Sequence, residues 1–147
     1  MAELLLIVHI LSVAAWLGGG FLNSFLGPRM AKAGGEVTVT WIGVLIEAAS
    51  RYFTTAGVLT LLSGIGIVLV KDERSFTEPF VLTGVIIVVA ALGISGAVLT
   101  PAAKAALAAA QTGDFPAAGA NGRKAARSGQ WITLLLVVAV VVMVLKV

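Results

Sequence analysis

The chain has no cysteine, so its sequence excludes disulfides, zinc thiolates and thiol nucleophiles. Charged residues make up only 12%, about half the share found in soluble domains. The long apolar runs contain no Asp, Glu, Lys or Arg in their interiors. A proton-coupled pump or transporter would be expected to bury a carboxylate there. P-loops, zinc-hydrolase motifs and nucleophile–base pairs are missing as well, so the sequence favours a protein that is not an enzyme.

Apolar residues are abundant instead, at 59% of 147 residues. An α-helix needs about 20 apolar residues to cross a bilayer core. We therefore predict an all-α membrane protein, in which residues 1–147 form a single domain, an antiparallel bundle of four transmembrane helices. The predicted spans are about 4–26, 52–70, 80–100 and 128–146. The N-terminus carries only Glu3 and no basic segment, so we expect the first span to be retained rather than cleaved as a signal peptide.

Local signals predict where the helices begin and end. Pro28 disfavours helix at the residue before it, so the first helix is expected to end there. Residues 38–53 are predicted to form an interfacial helix before the second span, with Trp41 and Tyr52 near the lipid headgroups. Thr77, Glu78 and Pro79 form a start signal for the third helix, after a short polar outer loop at residues 71–78.

Two further predictions concern the second half of the chain. The alanine-rich sequence after Pro101 favours helix, so the third helix is expected to extend into the cytoplasm to about Gln111. Residues 112–129 are rich in Gly, Pro and Ala and are predicted to be a mobile connection. The apolar residues 132–145 of the fourth span include no glycine, and we expect this span to be a peripheral, lipid-facing helix.

The basic residues are unequally shared between the two sides of the predicted membrane. One side has seven: Arg29, Lys32, Arg51, Lys104, Arg123, Lys124 and Arg127. The other side has three: Lys71, Arg74 and Lys146. The positive-inside rule then places both termini of this multi-pass membrane protein outside. There is no basic patch interleaved with aromatic residues, so no nucleic-acid partner is expected.

Glycine and histidine mark the predicted packing faces. Gly57, Thr60 and Gly64 form one stripe of the second span, where small residues let helix backbones approach closely. His9, the only histidine, shares a helical face with Trp16 and Asn23, and this face is expected to point into the bundle. His9 lies about 9 Å into the span, counted at about 1.5 Å per residue.

Two interpretations of His9 follow. In the first, its imidazole is structural and bonds to Ser63 or to a backbone carbonyl, Trp16 packs in the bundle, and Asn23 makes an interhelical or interfacial bond. In the second, His9 is an axial ligand of haem b or a copper ligand. Met143 is then the partner ligand, since it lies at nearly the same depth and His/Met ligation of haem is a known type. Copper would need further soft or nitrogen ligands. The first interpretation implies no cofactor.

The sequences "HILSVAAWLGGGF" and "SRYFTTAGVLTLLSGIGIV" resemble a group of uncharacterised bacterial integral membrane proteins. This group is related to the copper-resistance protein D family and, more distantly, to the HemJ family of protoporphyrinogen oxidases. The shared residues are His9, Trp16, Gly18, Gly19, Arg51, Tyr52, Ser63 and Gly64. The resemblance covers about the first half of the chain and implies a four-helix bundle in a bacterial plasma (inner) membrane, with His9 as the candidate ligand. The additional histidines and metal ligands of those families are missing here.

Two functions are therefore expected from the sequence. In the first, the protein is an accessory or structural component of a larger membrane complex, which contacts other subunits or a second copy through its glycine-rich helices. In the alternative, it is a redox protein that binds haem b or copper through His9.

Overall fold

The computed structural model describes residues 1–70 and 76–146 and contains four long helices in this part of the chain. They are α1 (Ala2–Ala33), α2 (Gly35–Val70), α3 (Pro79–Gln111) and α4 (Phe115–Leu145). Each is long and apolar enough to cross a membrane, and the described residues form no strand. The predicted all-α class and the multi-pass membrane character are confirmed at this level.

The first helix does not end at Pro28, as the sequence predicted, but continues to Ala33. Proline removes a backbone donor and strains the preceding turn, so carbonyls in that turn need other donors. Arg29 supplies one, because its Nη1 donates to the Phe25 carbonyl at 2.8 Å. The same guanidinium lies 3.6 Å from the centre of the Phe25 ring. These contacts help the helix to continue past the proline.

A single residue, Gly34, separates α1 from α2. Gly34 has φ of 69° and Gly35 has φ of 53°, a left-handed conformation that glycine adopts without a steric penalty. The connection between α1 and α2 is therefore a tight turn at these two glycines. The helix predicted at residues 38–53 forms the first part of α2 and joins the second span through a π-helical turn at Ala49–Phe53.

The third helix begins at Pro79, after Glu78 at its N-cap, as predicted. Residues 71–75 of the predicted outer loop lie outside the described residues. At the other end, α3 passes through a π-helical turn at Ser95–Leu99 and continues to Gln111, which confirms the predicted helical extension. This extension packs against α4 and against the first half of α2.

The prediction of a mobile connection at residues 112–129 was wrong. Helix α4 begins at Phe115, so only Thr112, Gly113 and Asp114 connect it to α3. The Asp114 side chain caps the helix, accepting a hydrogen bond from the Ala117 amide at 3.0 Å, and Pro116 lies in the first turn. A side-chain cap followed by proline is a strong start signal, and here it outweighs the glycines that follow.

All four helices contribute to one core. Its buried members are Trp16 of α1, Ala56 of α2, Val88 and Ala91 of α3, and Ile132 and Leu136 of α4. The prediction that the fourth span is peripheral was therefore wrong, because α4 packs against both α1 and α3. It does so with branched and small residues rather than with glycine.

Candidate functional site

The candidate site lies where α1 crosses the second half of α2. His9 Nδ1 is 3.0 Å from the Thr60 carbonyl oxygen and 3.1 Å from Ser63 Oγ. A carbonyl can only accept, so Nδ1 carries the hydrogen and donates it to Thr60. In the neutral imidazole the lone pair is then on Nε2. The hydrogen bonds that the sequence predicted for a structural His9 are present.

The two serines of this region are held by their own helices. Ser12 Oγ donates to the Val8 carbonyl at 2.7 Å, and Ser63 Oγ donates to the Leu59 carbonyl. Because the Ser63 hydroxyl hydrogen is directed into its own helix, its oxygen lone pairs remain available to His9 Nδ1. The imidazole hydrogen is therefore shared between two acceptors on α2.

Glycine creates the space in which the imidazole sits. A Cβ atom added at Gly64 would lie 3.2 Å from His9 Cε1 and 3.4 Å from His9 Nδ1. One α-helical turn before Gly64, Thr60 is 2% exposed. The predicted stripe of Gly57, Thr60 and Gly64 is thus the face that α2 turns towards α1.

Trp16 occupies the next position along the same interface. It is 4% exposed, and a Cβ at Gly57 would lie 2.8 Å from its indole. Tyr52 extends this interface on the side of Trp16 away from His9, because its hydroxyl donates to the Ala15 carbonyl at 3.0 Å. Trp16 is therefore a packing residue that joins α1 to the core.

Of the remaining predicted residues, Asn23 lies away from this site, and Met143 contacts a different helix. Asn23 follows His9 by 14 residues, about 21 Å along α1, and is only half-buried. Met143 packs with its methyl group against Gly84 of α3, whereas the imidazole packs against Gly64 of α2. Within residues 1–70 and 76–146, no group of three or more His, Cys, Asp or Glu could hold a metal ion.

Thr60 is a member of the site that sequence reasoning assigned only to packing. Its carbonyl is the closest acceptor for His9, and its buried Oγ1 has no hydrogen-bond partner among the described residues. The spacing of Gly57, Thr60 and Gly64 located this threonine on the correct face. His9 bonds to the Thr60 carbonyl rather than to the Thr60 hydroxyl because of the depth at which α1 and α2 meet, and the spacing of residues along one helix does not give that depth.

What the arrangement can do chemically is limited. One imidazole nitrogen with a free lone pair, oriented by a carbonyl, can accept a hydrogen bond or bind a single metal centre as one ligand. Comparison of the chain with protein-family models, with curated proteins and with solved structures finds no match.

Proposed function

We propose that this protein is a non-catalytic component of a larger membrane complex, which binds another transmembrane helix through the outer face of α3. The observation that supports this is a pair of glycines on that face. Gly93 and Gly96 are exposed, and a Cβ added at either would meet no atom within 4 Å. Ala90 and Ala97 are exposed beside them.

The lipid environment makes this face suitable for association. Lipid tails are as apolar as leucine, so transmembrane helices associate through close packing at small residues rather than through the hydrophobic effect. Inside the bundle, the glycines of α2 serve this purpose against Trp16 and His9. The small residues of α3 offer the same kind of surface to a helix from a second copy or from another subunit.

The association is tested by the size of the particle extracted from membranes in polymer nanodiscs. The variants Gly93→Leu and Gly96→Leu place a large side chain on the proposed surface without a clash inside the bundle. Gly18→Leu is the matched control, because Gly18 of α1 also has nothing within 4 Å of an added Cβ. We expect wild type and Gly18→Leu to be larger than one 15.0 kDa chain, and both α3 variants to be a single chain. Wild type at the size of one chain would overturn the proposal.

The proposed arrangement in the membrane is an antiparallel bundle in a bacterial inner membrane, with both termini outside. Three contacts between α1 and α2 support opposite directions: Leu5 with Gly66, His9 with Gly64, and Trp16 with Gly57. The start of α2 is proposed to lie in the inner headgroup region, beside the cytoplasmic extension of α3.

The orientation can be tested by cysteine labelling in intact cells, since the chain has no native cysteine. A cysteine at Asp72 should react with an impermeant reagent, and one at Lys124 should react only after the membrane is opened. The seven-to-three distribution of cations is the physical reason. The reverse labelling pattern would refute the orientation.

A second candidate function is binding of haem b or copper through His9, in line with the resemblance to the copper-resistance D and HemJ families. It is favoured by the hydrogen bond from Nδ1 to the Thr60 carbonyl, which leaves the Nε2 lone pair available. Metal-binding histidines commonly donate their other nitrogen in this way. The donor set fits one axial position of a haem better than a copper site, which needs more ligands.

This candidate is tested by the absorption spectrum and metal content of the purified protein. A Soret band that is lost in His9→Gln and weakened in Met143→Leu would establish the ligand pair. The absence of both a haem spectrum and stoichiometric copper would refute cofactor binding and leave the first proposal unaffected.

A further inference from the structure

We infer that the exposed face of α4 is a binding site for an anionic phospholipid. A groove of about 380 Å³ runs along this helix and is lined by Ala120, Arg123, Lys124, Arg127, Ser128 and Trp131. At about 100° per residue, these positions cover about 140° of the helix circumference. Three cations, a hydroxyl-bearing residue and an indole therefore share one surface.

The cations of this groove are available to an external anion. Arg123, Lys124 and Arg127 are all exposed. The ion pair found between two described residues joins Arg51 and Glu47 of α2, and none joins a carboxylate of residues 1–70 and 76–146 to the groove. Phosphate oxygens are suited to such a site, because arginine binds them with its planar fork of donors.

The position of the groove relative to the membrane favours the phosphate of a lipid over a free phosphate ion. Trp131 is 61% exposed and begins the apolar part of α4. An exposed tryptophan in this position is typical of the headgroup level of a membrane. Arg127 precedes it by four residues, or about 6 Å, which is within the headgroup layer of one leaflet, and Arg123 lies about 12 Å from it, at the water-facing edge of that layer.

The same face of α4 continues into an apolar path on which an acyl chain can lie. Leu134 is 51% exposed, Val138 is 42% exposed and Val141 is 48% exposed. These residues follow Trp131 by three, seven and ten positions, the spacing of a single helical face. The order along this face is thus cations, then indole, then aliphatic side chains, which matches the order of phosphate, glycerol and acyl chain in a phospholipid.

The test measures lipid selectivity of the full-length protein by native mass spectrometry, with phosphatidylglycerol competing against phosphatidylcholine of the same chain length. A direct hydrogen bond from an arginine to a lipid phosphate contributes about tenfold in affinity. The double variant Arg123→Gln/Arg127→Gln is therefore expected to lose about tenfold or more of the preference for phosphatidylglycerol. The matched control is Lys32→Gln/Lys104→Gln, which removes the same charge from α1 and α3 and should lose less than threefold.

Three outcomes would overturn the inference. Equal losses in both double variants would show only a general attraction of basic residues to anionic lipid. Displacement of phosphatidylglycerol by 10 mM inorganic phosphate would indicate a soluble phosphate ligand instead. Full selectivity in Arg123→Gln/Arg127→Gln, with unchanged helix content by circular dichroism, would exclude the groove as the lipid site.

A further variant, Trp131→Gln, keeps the cations and should lower retention of both lipids without changing the preference between them.

Discussion

Two glycine-lined surfaces of this protein use the same residue for opposite purposes. On α2, Gly57 and Gly64 are covered by Trp16 and His9 of α1, and an added Cβ would lie within 3.2 Å of one of these side chains. On α3, an added Cβ at Gly93 or Gly96 would meet nothing within 4 Å. The first surface is used inside the bundle, and the second is open.

The difference between the surfaces shows which glycines the fold itself requires. A glycine under a buried aromatic ring is required by packing, because protein interiors do not tolerate added volume without movement of neighbours. An open glycine in a helix costs stability relative to alanine and gains nothing within the chain. Two open glycines three residues apart on α3, beside the exposed Ala90 and Ala97, therefore favour a use outside the chain, as the proposed association states.

The largest effect is expected from Gly57→Leu. An added Cβ at this position already lies 2.7 Å from Leu92 and 2.8 Å from Trp16, and Trp16 is held in the core at 4% exposure. The extra volume cannot be accommodated by a small rotation, so we expect a loss of about 3 kcal/mol in the free energy of unfolding, at the upper end of overpacking effects. Thermal unfolding in detergent, followed by circular dichroism, measures it.

The control for this variant is Val140→Leu on α4, which adds one methylene at a half-buried position. We expect a change below 1 kcal/mol for that substitution. Equal melting temperatures of Gly57→Leu and Val140→Leu would contradict the close contact between α1 and α2 described above.

The helices could be predicted from the sequence because membrane-spanning segments are identified by their length and hydropathy. The two boundaries that were wrong both involve proline. At Pro28 the helix continues, with Arg29 bonding the Phe25 carbonyl, and at Pro116 it begins, with Asp114 capping it. Proline marks either an end or a start, and the side chains around it decide which one.

The candidate site was predicted in part. Helical periodicity placed His9 and Trp16 on one face of α1, and both lie against the glycine stripe of α2. Periodicity gives the direction of a side chain but not the depth at which two helices meet. It therefore predicted a bond to Ser63 or to a carbonyl without selecting the Thr60 carbonyl. Periodicity also did not show that Met143 packs on Gly84 of α3 whereas the imidazole packs on Gly64 of α2.

A smaller effect is expected at the polar end of the covered surface. His9→Leu removes the donor to the Thr60 carbonyl and the Ser63 hydroxyl, which should cost about 1 kcal/mol in the free energy of unfolding, as interhelical hydrogen bonds in membranes do. His9→Gln retains a donor and should recover more than half of that loss. Thermal unfolding of the three proteins in the same detergent measures the series. Equal losses in both variants would indicate that the imidazole ring stabilises the bundle by its shape rather than by its hydrogen bond.

The smallest effect, of opposite sign, is expected on the open surface. Gly93→Ala adds a methyl group where no atom lies within 4 Å, and alanine is favoured over glycine in a helix interior by about 0.5–1 kcal/mol. The isolated chain should therefore unfold at a slightly higher temperature. Gly57→Ala carries the same gain in helix propensity, but its methyl group meets Leu92 and Trp16, so this variant should be less stable than wild type. The pair holds the chemical change constant and varies only what covers the glycine. A destabilised Gly93→Ala would mean that α3 packs more closely at this position than its open surface indicates.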